Sequence, residues 1–162
     1  MVIGAIKTKM NGDDVIAKIQ DVMGWKLISR QSISANDSVE SACIGQEWRG
    51  HCIFVAKIRG NTVVDNVSGC LGILTKENWL SVSSGQCLLF QEYNDAIGYG
   101  QIIDISNGNI DKYCIFDDQD SISESNDPNI TSWVDISSII DEDDDIYIDD
   151  EVGELVIFNN AV

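Results

Sequence analysis

The residues dense enough to do chemistry in this chain are carboxylates, concentrated in Asp141–Glu151, where eight of eleven residues are acidic. They are Asp141, Glu142, Asp143, Asp144, Asp145, Asp149, Asp150 and Glu151, interrupted by Ile146, Tyr147 and Ile148. Such a block could hold a divalent cation or pair with a basic protein. Register tests the calcium reading. An EF-hand loop begun at Asp141 puts Asp143 and Asp145 at the third and fifth positions, as required. It also puts Ile146 where the turn glycine belongs and Val152 where the bidentate glutamate belongs, so the motif fails. The chain has no Cys-x-x-Cys pair and a single histidine, His51. That is little zinc-binding capacity, and no metal or cofactor is expected.

Nucleophilic chemistry has one candidate pair. Any histidine-dependent mechanism must use His51, and its neighbour Cys52 would face the other side of a strand. Among the other cysteines, Cys70 stands out because Ser68-Gly69-Cys70-Leu71-Gly72 is one glycine short of a G-x-C-x-G elbow. A cysteine-dependent enzyme using Cys70 and His51 is therefore one alternative function, and a general protein-interaction module whose acids serve only solubility is the other. The simpler reading makes those glycines turn residues and Cys43, Cys52, Cys70, Cys87 and Cys114 reduced thiols, mostly buried. Neither G-x-x-x-x-G-K-[ST] nor G-x-G-x-x-G occurs. Ile97-Gly98-Tyr99-Gly100 lacks the lysine and helix a phosphate site needs.

Charge then narrows the class of partner. The chain carries 27 acids against 10 bases, a net charge of −17. No base follows Lys112, and 15 of the acids lie between Tyr113 and Val162. Nucleic acid would be repelled by such a surface. If extended, Asp141–Glu151 covers about 33 Å at roughly 3.3 Å per residue. Its charge spacing is then about 4 Å, close to the roughly 3.4 Å of one DNA strand. A basic protein groove shaped for nucleic acid would accept it. The expected partner is a basic protein, with Asp141–Asp145 and Asp149–Glu151 as the contact surface and Tyr147 as an aromatic anchor.

In size, acidity, lack of a signal-like start and lack of a catalytic motif, the chain resembles the immunity proteins of bacterial toxin–immunity pairs. The likeness lies in overall character, chiefly over Tyr113–Val162, so it assigns no residue a role. It implies a cytoplasmic, non-catalytic α+β protein that neutralises a cognate toxin domain, often a basic nuclease.

These groups must be positioned by a fold. At 162 residues, a single domain spanning 1–162 is expected, and no apolar run approaches the roughly 20 residues of a membrane span. Val2–Ile6 reads as a strand and Asn11-Gly12 as a turn. Asp13 is the expected cap of a helix whose Val15, Ile16, Ile19, Val22 and Met23 share one face and which ends at Gly24. Trp25–Ile33 reads as a strand, Ser34–Ser38 as loop, and Val39–Gly50 carries no clear period. Cys52–Ile58 suits a central strand, followed by a turn at Arg59-Gly60-Asn61 and a second strand at Thr62–Val64. Thr75 caps a short helix through Leu80, and Gln86–Gln91 reads as a buried strand. Asn107-Gly108 between Gln101–Ile105 and Ile110–Phe116 predicts a tight hairpin, because both turn residues take positive φ. Asp117–Asn129 is expected to be a long mobile connection, opening a highly acidic stretch 117–162. Ile130–Ile140 shows helical spacing, and Leu155–Phe158 should be buried. The sum is an α+β domain around a mainly antiparallel sheet.

Overall fold

The computed structural model describes residues 2–117, 123–140 and 151–160. It is an α+β fold dominated by one antiparallel sheet. The strands are β1 (Val2–Thr8), β2 (Trp25–Ser34), β3 (Cys43–Ile44), β4 (Glu47–Trp48), β5 (His51–Ile58), β6 (Asn61–Asp65), β7 (Leu88–Asn94), β8 (Tyr99–Ser106), β9 (Asn109–Asp117), β10 (Ser123–Ser125) and β11 (Val152–Asn160). The helices are α1 (Gly12–Met23), α2 (Ser38–Ser41), α3 (Lys76–Ser83) and α4 (Trp133–Ile136). Nine strands form the sheet in the order β10-β9-β8-β7-β1-β6-β5-β11-β2, and β3 and β4 pair separately. Every pairing in the large sheet is antiparallel.

Local chemistry explains most boundaries. The α1 cap is Asn11 and not Asp13: its side chain accepts the Asp14 N–H, which leaves Asp13 and Asp14 in the first turn. There both carboxylates still favour the positive end of the helix dipole. Gly24 closes α1 at φ 65°, a left-handed cap. Thr75 caps α3 with a reciprocal bond to Asn78. Arg59-Gly60 and Asn107-Gly108 both turn through paired positive φ, at 50° and 82° and at 51° and 78°. Each joins neighbouring strands through two residues, as expected for such turns.

Other expectations shift. Ser34–Ser38 is not plain loop, since Ala35–Asp37 makes a 3-10 turn that leads into α2. The strand expected at Gln86–Gln91 begins at Leu88 and runs to Asn94, leaving Cys87 exposed. The connection Asp117–Asn129 contains a strand, because Ser123–Ser125 pair with Cys114–Phe116. Between Ile130 and Ile140 only Trp133–Ile136 is helical.

Helices cover one face of the sheet. Ile6, Val15, Ile19, Ile53, Trp79, Phe90, Ile103 and Phe158 form the main core there, under α1 and α3. Trp79 stacks on Phe90 at 4.5 Å between ring centroids. Truncating such a buried aromatic to alanine costs about 3–5 kcal/mol. On the other face, α4 lays Ile136 over β8 and β9 in a cluster with Tyr93, Ile102, Cys114, Phe116 and Ile140. Gly100 makes that approach possible, since a Cβ there would lie 2.9 Å from the Ile136 Cβ. β5 is buried on both faces, which accounts for its nearly continuous apolar sequence. Leu155–Phe158 in β11 are likewise buried. Arg30 on β2 ties α1 to β11 through Asp13 at 2.6 Å and Glu154 at 2.5 Å.

Candidate functional site

The described residues that bracket the acid block, Ile140 and Glu151, are held in the fold. Ile140 is 8% exposed and belongs to the α4 cluster over β8 and β9. Its N–H donates to the Ile136 carbonyl. At the far end, the Glu151 carbonyl accepts the Ala35 N–H at 2.8 Å, just before β11 begins. In the sheet, β7, β1, β6 and β5 separate β8 from β11. Of the acids expected to form the contact surface, only Glu151 is among the described residues. Asp141, Glu142, Asp143, Asp144, Asp145, Tyr147, Asp149 and Asp150 lie outside them.

Cys70 and His51 have separate partners. His51 stacks on Trp25 at 4.1 Å, with its Nε2 2.9 Å from Asn160 Oδ1. Cys70 is buried in the 3-10 helix Cys70–Ile73, with its Sγ 3.9 Å from the Cys52 carbonyl. Burial pushes its thiol up to about 11, so it is held protonated at neutral pH. Ser68 and Gly69 serve the turn: Gly69 has φ 81°, and Ser68 Oγ accepts the Cys52 N–H. Cys52, Cys70 and Cys114 are buried as expected, Cys43 is half-buried, and all five cysteines are free thiols. Among the described residues, no group of three or more His, Cys, Asp and Glu is placed to hold a metal ion.

The structure brings together a second constellation that sequence reasoning missed. On the helix-covered face, successive cross-strand pairs put Gly4 opposite Glu92, Glu92 opposite Gln101, Gln101 opposite Ile115, and Ile115 opposite Glu124. Directly opposed residues share a face, so this is one row crossing five strands. Asn66 extends it past β1, donating its N–H to the Gly4 carbonyl at 2.8 Å. The preceding row, two residues along each strand, is core: Phe90 and Ile103 are fully buried. The apolar floor therefore gives way to polar groups at Glu92.

Glu92 is gripped on several sides. Asn66 Nδ2 donates to its Oε2 at 2.8 Å, while Asn66 Oδ1 accepts the Leu71 N–H at 3.0 Å. Burial raises its carboxyl above the usual carboxylate range, against the opposing hydrogen bonds from Tyr99 and Asn66. The Tyr99 phenol is raised too, by burial first and then by the charge of Glu92. Gly72 closes over this group, since a Cβ there would lie 2.7 Å from Glu92 Oε1. A cleft of about 650 Å³ opens beside Glu92 between Trp48, Asn66, Tyr93 and Tyr99. A second, of about 700 Å³, lies between α3 and the ends of β8 and β9, and the two share Gly72 and Tyr99.

Comparison of the chain with protein-family models, curated proteins and solved structures finds no match. Function must therefore be argued from the chemistry of the chain itself. One signal for the second site was present in the sequence. In Leu88-x-Phe90-x-Glu92 the carboxylate is in phase with two buried apolar residues. A charge on the core side of a strand is placed there at a cost.

Proposed function

We propose that this chain is a non-catalytic inhibitor that binds a basic partner protein through Asp141–Asp145, Tyr147 and Asp149–Glu151. In this reading the partner is a nuclease toxin domain, and the chain is its cytoplasmic immunity protein. One observation carries the proposal: the acid block is bounded by a buried anchor at Ile140 and by a backbone bond at Glu151. A solvating tail needs neither anchor. The residues on either side of the block are held in the fold, and eight carboxylates within eleven residues give a local field of one sign. Fields of this kind steer a basic partner to contact, with association rates up to about 10⁸–10⁹ M⁻¹s⁻¹ at low salt.

Affinity capture from the native host tests the proposal, with wild type and a variant carrying Asp143, Asp145, Asp149 and Asp150 to Asn as baits. Wild type is expected to retain a basic protein that the variant releases, and stoichiometric wild type is expected to block that protein's activity. Equal recovery by both baits refutes the assignment.

A further inference from the structure

We infer that the groove crossing the ends of β7, β8 and β9 seats an extended segment of a basic partner protein, one of whose lysine or arginine side chains enters beside Glu92. The inference rests on the reading that the partner is basic, and it adds a second contact surface to the acid block. Shape is the first argument. The two clefts share Gly72 and Tyr99 in their linings, so they lie side by side. The row from Asn66 to Glu124 spans five strand spacings, about 24 Å at roughly 4.8 Å each. That is the length of about seven extended residues at ~3.3 Å per residue.

Charge is the second argument. Glu77, Glu92 and Glu124, with Asp65 and Asp117, line the two clefts, and Lys76 is the basic residue of their linings. The Lys76 ammonium lies over the Tyr113 ring at 5.3 Å. Around Glu92 itself the lining contains no Lys, Arg or His. A half-buried carboxylate whose described cleft lining holds no cation is relieved by a cation arriving from outside.

One further observation concerns what such a segment would touch. Trp48 and Tyr99 flank the Glu92 cleft, with Ile97 exposed at its rim. Aromatic faces suit both the aliphatic stem and the cationic head of lysine or arginine.

The test uses a fluorescein-labelled, acetylated octapeptide of alternating lysine and alanine, followed by fluorescence anisotropy at low salt. The protein is the full chain with all eight block acids neutralised, Asp141, Asp143, Asp144, Asp145, Asp149 and Asp150 to Asn and Glu142 and Glu151 to Gln, so that charge pairing with the acid block is removed. Peptide binding is expected to persist in this background. It should weaken by about tenfold or more on adding Glu92→Gln, the scale of one charge-assisted hydrogen bond. Gly72→Ala, which pushes the Glu92 carboxylate aside, should weaken it in the same direction. Glu92→Gln keeps the side-chain shape and removes a buried charge, so the variant folds. Peptide addition should shift the amide resonances of Gly72, Tyr99 and Gln101. Equal affinity with and without Glu92→Gln overturns the inference, as does absence of binding in the block-neutralised background. Either result leaves the acid-block reading standing, because that reading is judged on capture of the partner by the wild-type block.

Discussion

Replacing Gly108 by valine isolates the backbone cost of the β8–β9 hairpin. Asn107 and Gly108 sit at φ 51° and 78°, and Ser106 pairs with Asn109 across the two-residue turn. A Cβ on Gly108 would meet only Gly85 Cα, at an ordinary 3.8 Å. Steric collision with the rest of the protein therefore contributes little, and the penalty is conformational. A left-handed backbone costs an L-residue about 1–2 kcal/mol, with β-branching adding to it. The stiffer unfolded chain returns about 0.4–1 kcal/mol. The net loss should be about 1–2 kcal/mol. With an m-value of about 2 kcal/mol/M, the urea midpoint should fall by roughly 0.5–1 M at unchanged m. Asparagine tolerates this region, so Gly108→Asn should lose less than half as much. Urea unfolding followed by tryptophan fluorescence reads both variants. A Gly108→Val midpoint equal to wild type, or a Gly108→Asn loss as large as that of valine, would refute the reasoning.

The remaining predictions address charge, thiols, pH and close packing. With the four block aspartates changed to Asn, affinity for the captured partner should fall and its salt dependence flatten, because exposed charge is screened over about 8 Å at physiological ionic strength; equal affinities at low and high salt contradict this. Ellman's reagent at pH 8 should label the exposed Cys87 rapidly. Cys70, whose thiol is pushed up to about 11, should react only on unfolding, and fast labelling of Cys70 in the native state would revive a nucleophilic role. Burial raises the Glu92 carboxyl above 4.5, so the native state holds that proton more tightly than the unfolded chain does. Stability from this group is full below the unfolded value and is lost as pH rises through the native one. Glu92→Gln should remove that decline, so the stability difference between variant and wild type should shift in the variant's favour as pH rises above the ordinary carboxylate range; a pH-independent difference disproves it. Gly153→Ala should cost about 3 kcal/mol in thermal or urea unfolding, since its Cβ would lie 2.3 Å from the Val55 carbonyl oxygen. A near-neutral variant would mean that β5 and β11 yield easily.

Much of the fold was legible because local rules and tertiary demands agree. In α1 the apolar spacing, the asparagine before it and Gly24 after it all point to one helix. At Asn107-Gly108 the turn type admits few other residues. Errors arose where two residues could satisfy one rule. Asn11 and Asp13 are both good caps, and the difference lies in which side chain reaches an unpaired N–H. Ser123–Ser125 has no apolar pattern, so its pairing with β9 could be found only in three dimensions. Strand order was not legible either, because β11 joins two strands from early in the chain. Glu92 was visible as a charge in phase with Leu88 and Phe90. Gly72, Asn66 and Tyr99, which complete its surroundings, come from separate loops and strands that no sequence spacing connects.

The position of β11 has a consequence for a chain still being made. β11 pairs with β5 on one side and β2 on the other, and among the described residues it is β2's only partner in the sheet. Until Val152–Asn160 arrives, β5 shows an open backbone edge on an apolar strand, and β2 has no place to dock. Open strand edges of this kind recruit other chains and begin aggregation. The last strand is itself apolar at Leu155–Phe158 and carries the same hazard. Directly before it the chain carries its densest run of negative charge, a gatekeeper that keeps nascent copies apart. Besides any contact with a partner, the block's charge thus opposes edge-to-edge pairing between copies before β11 has docked.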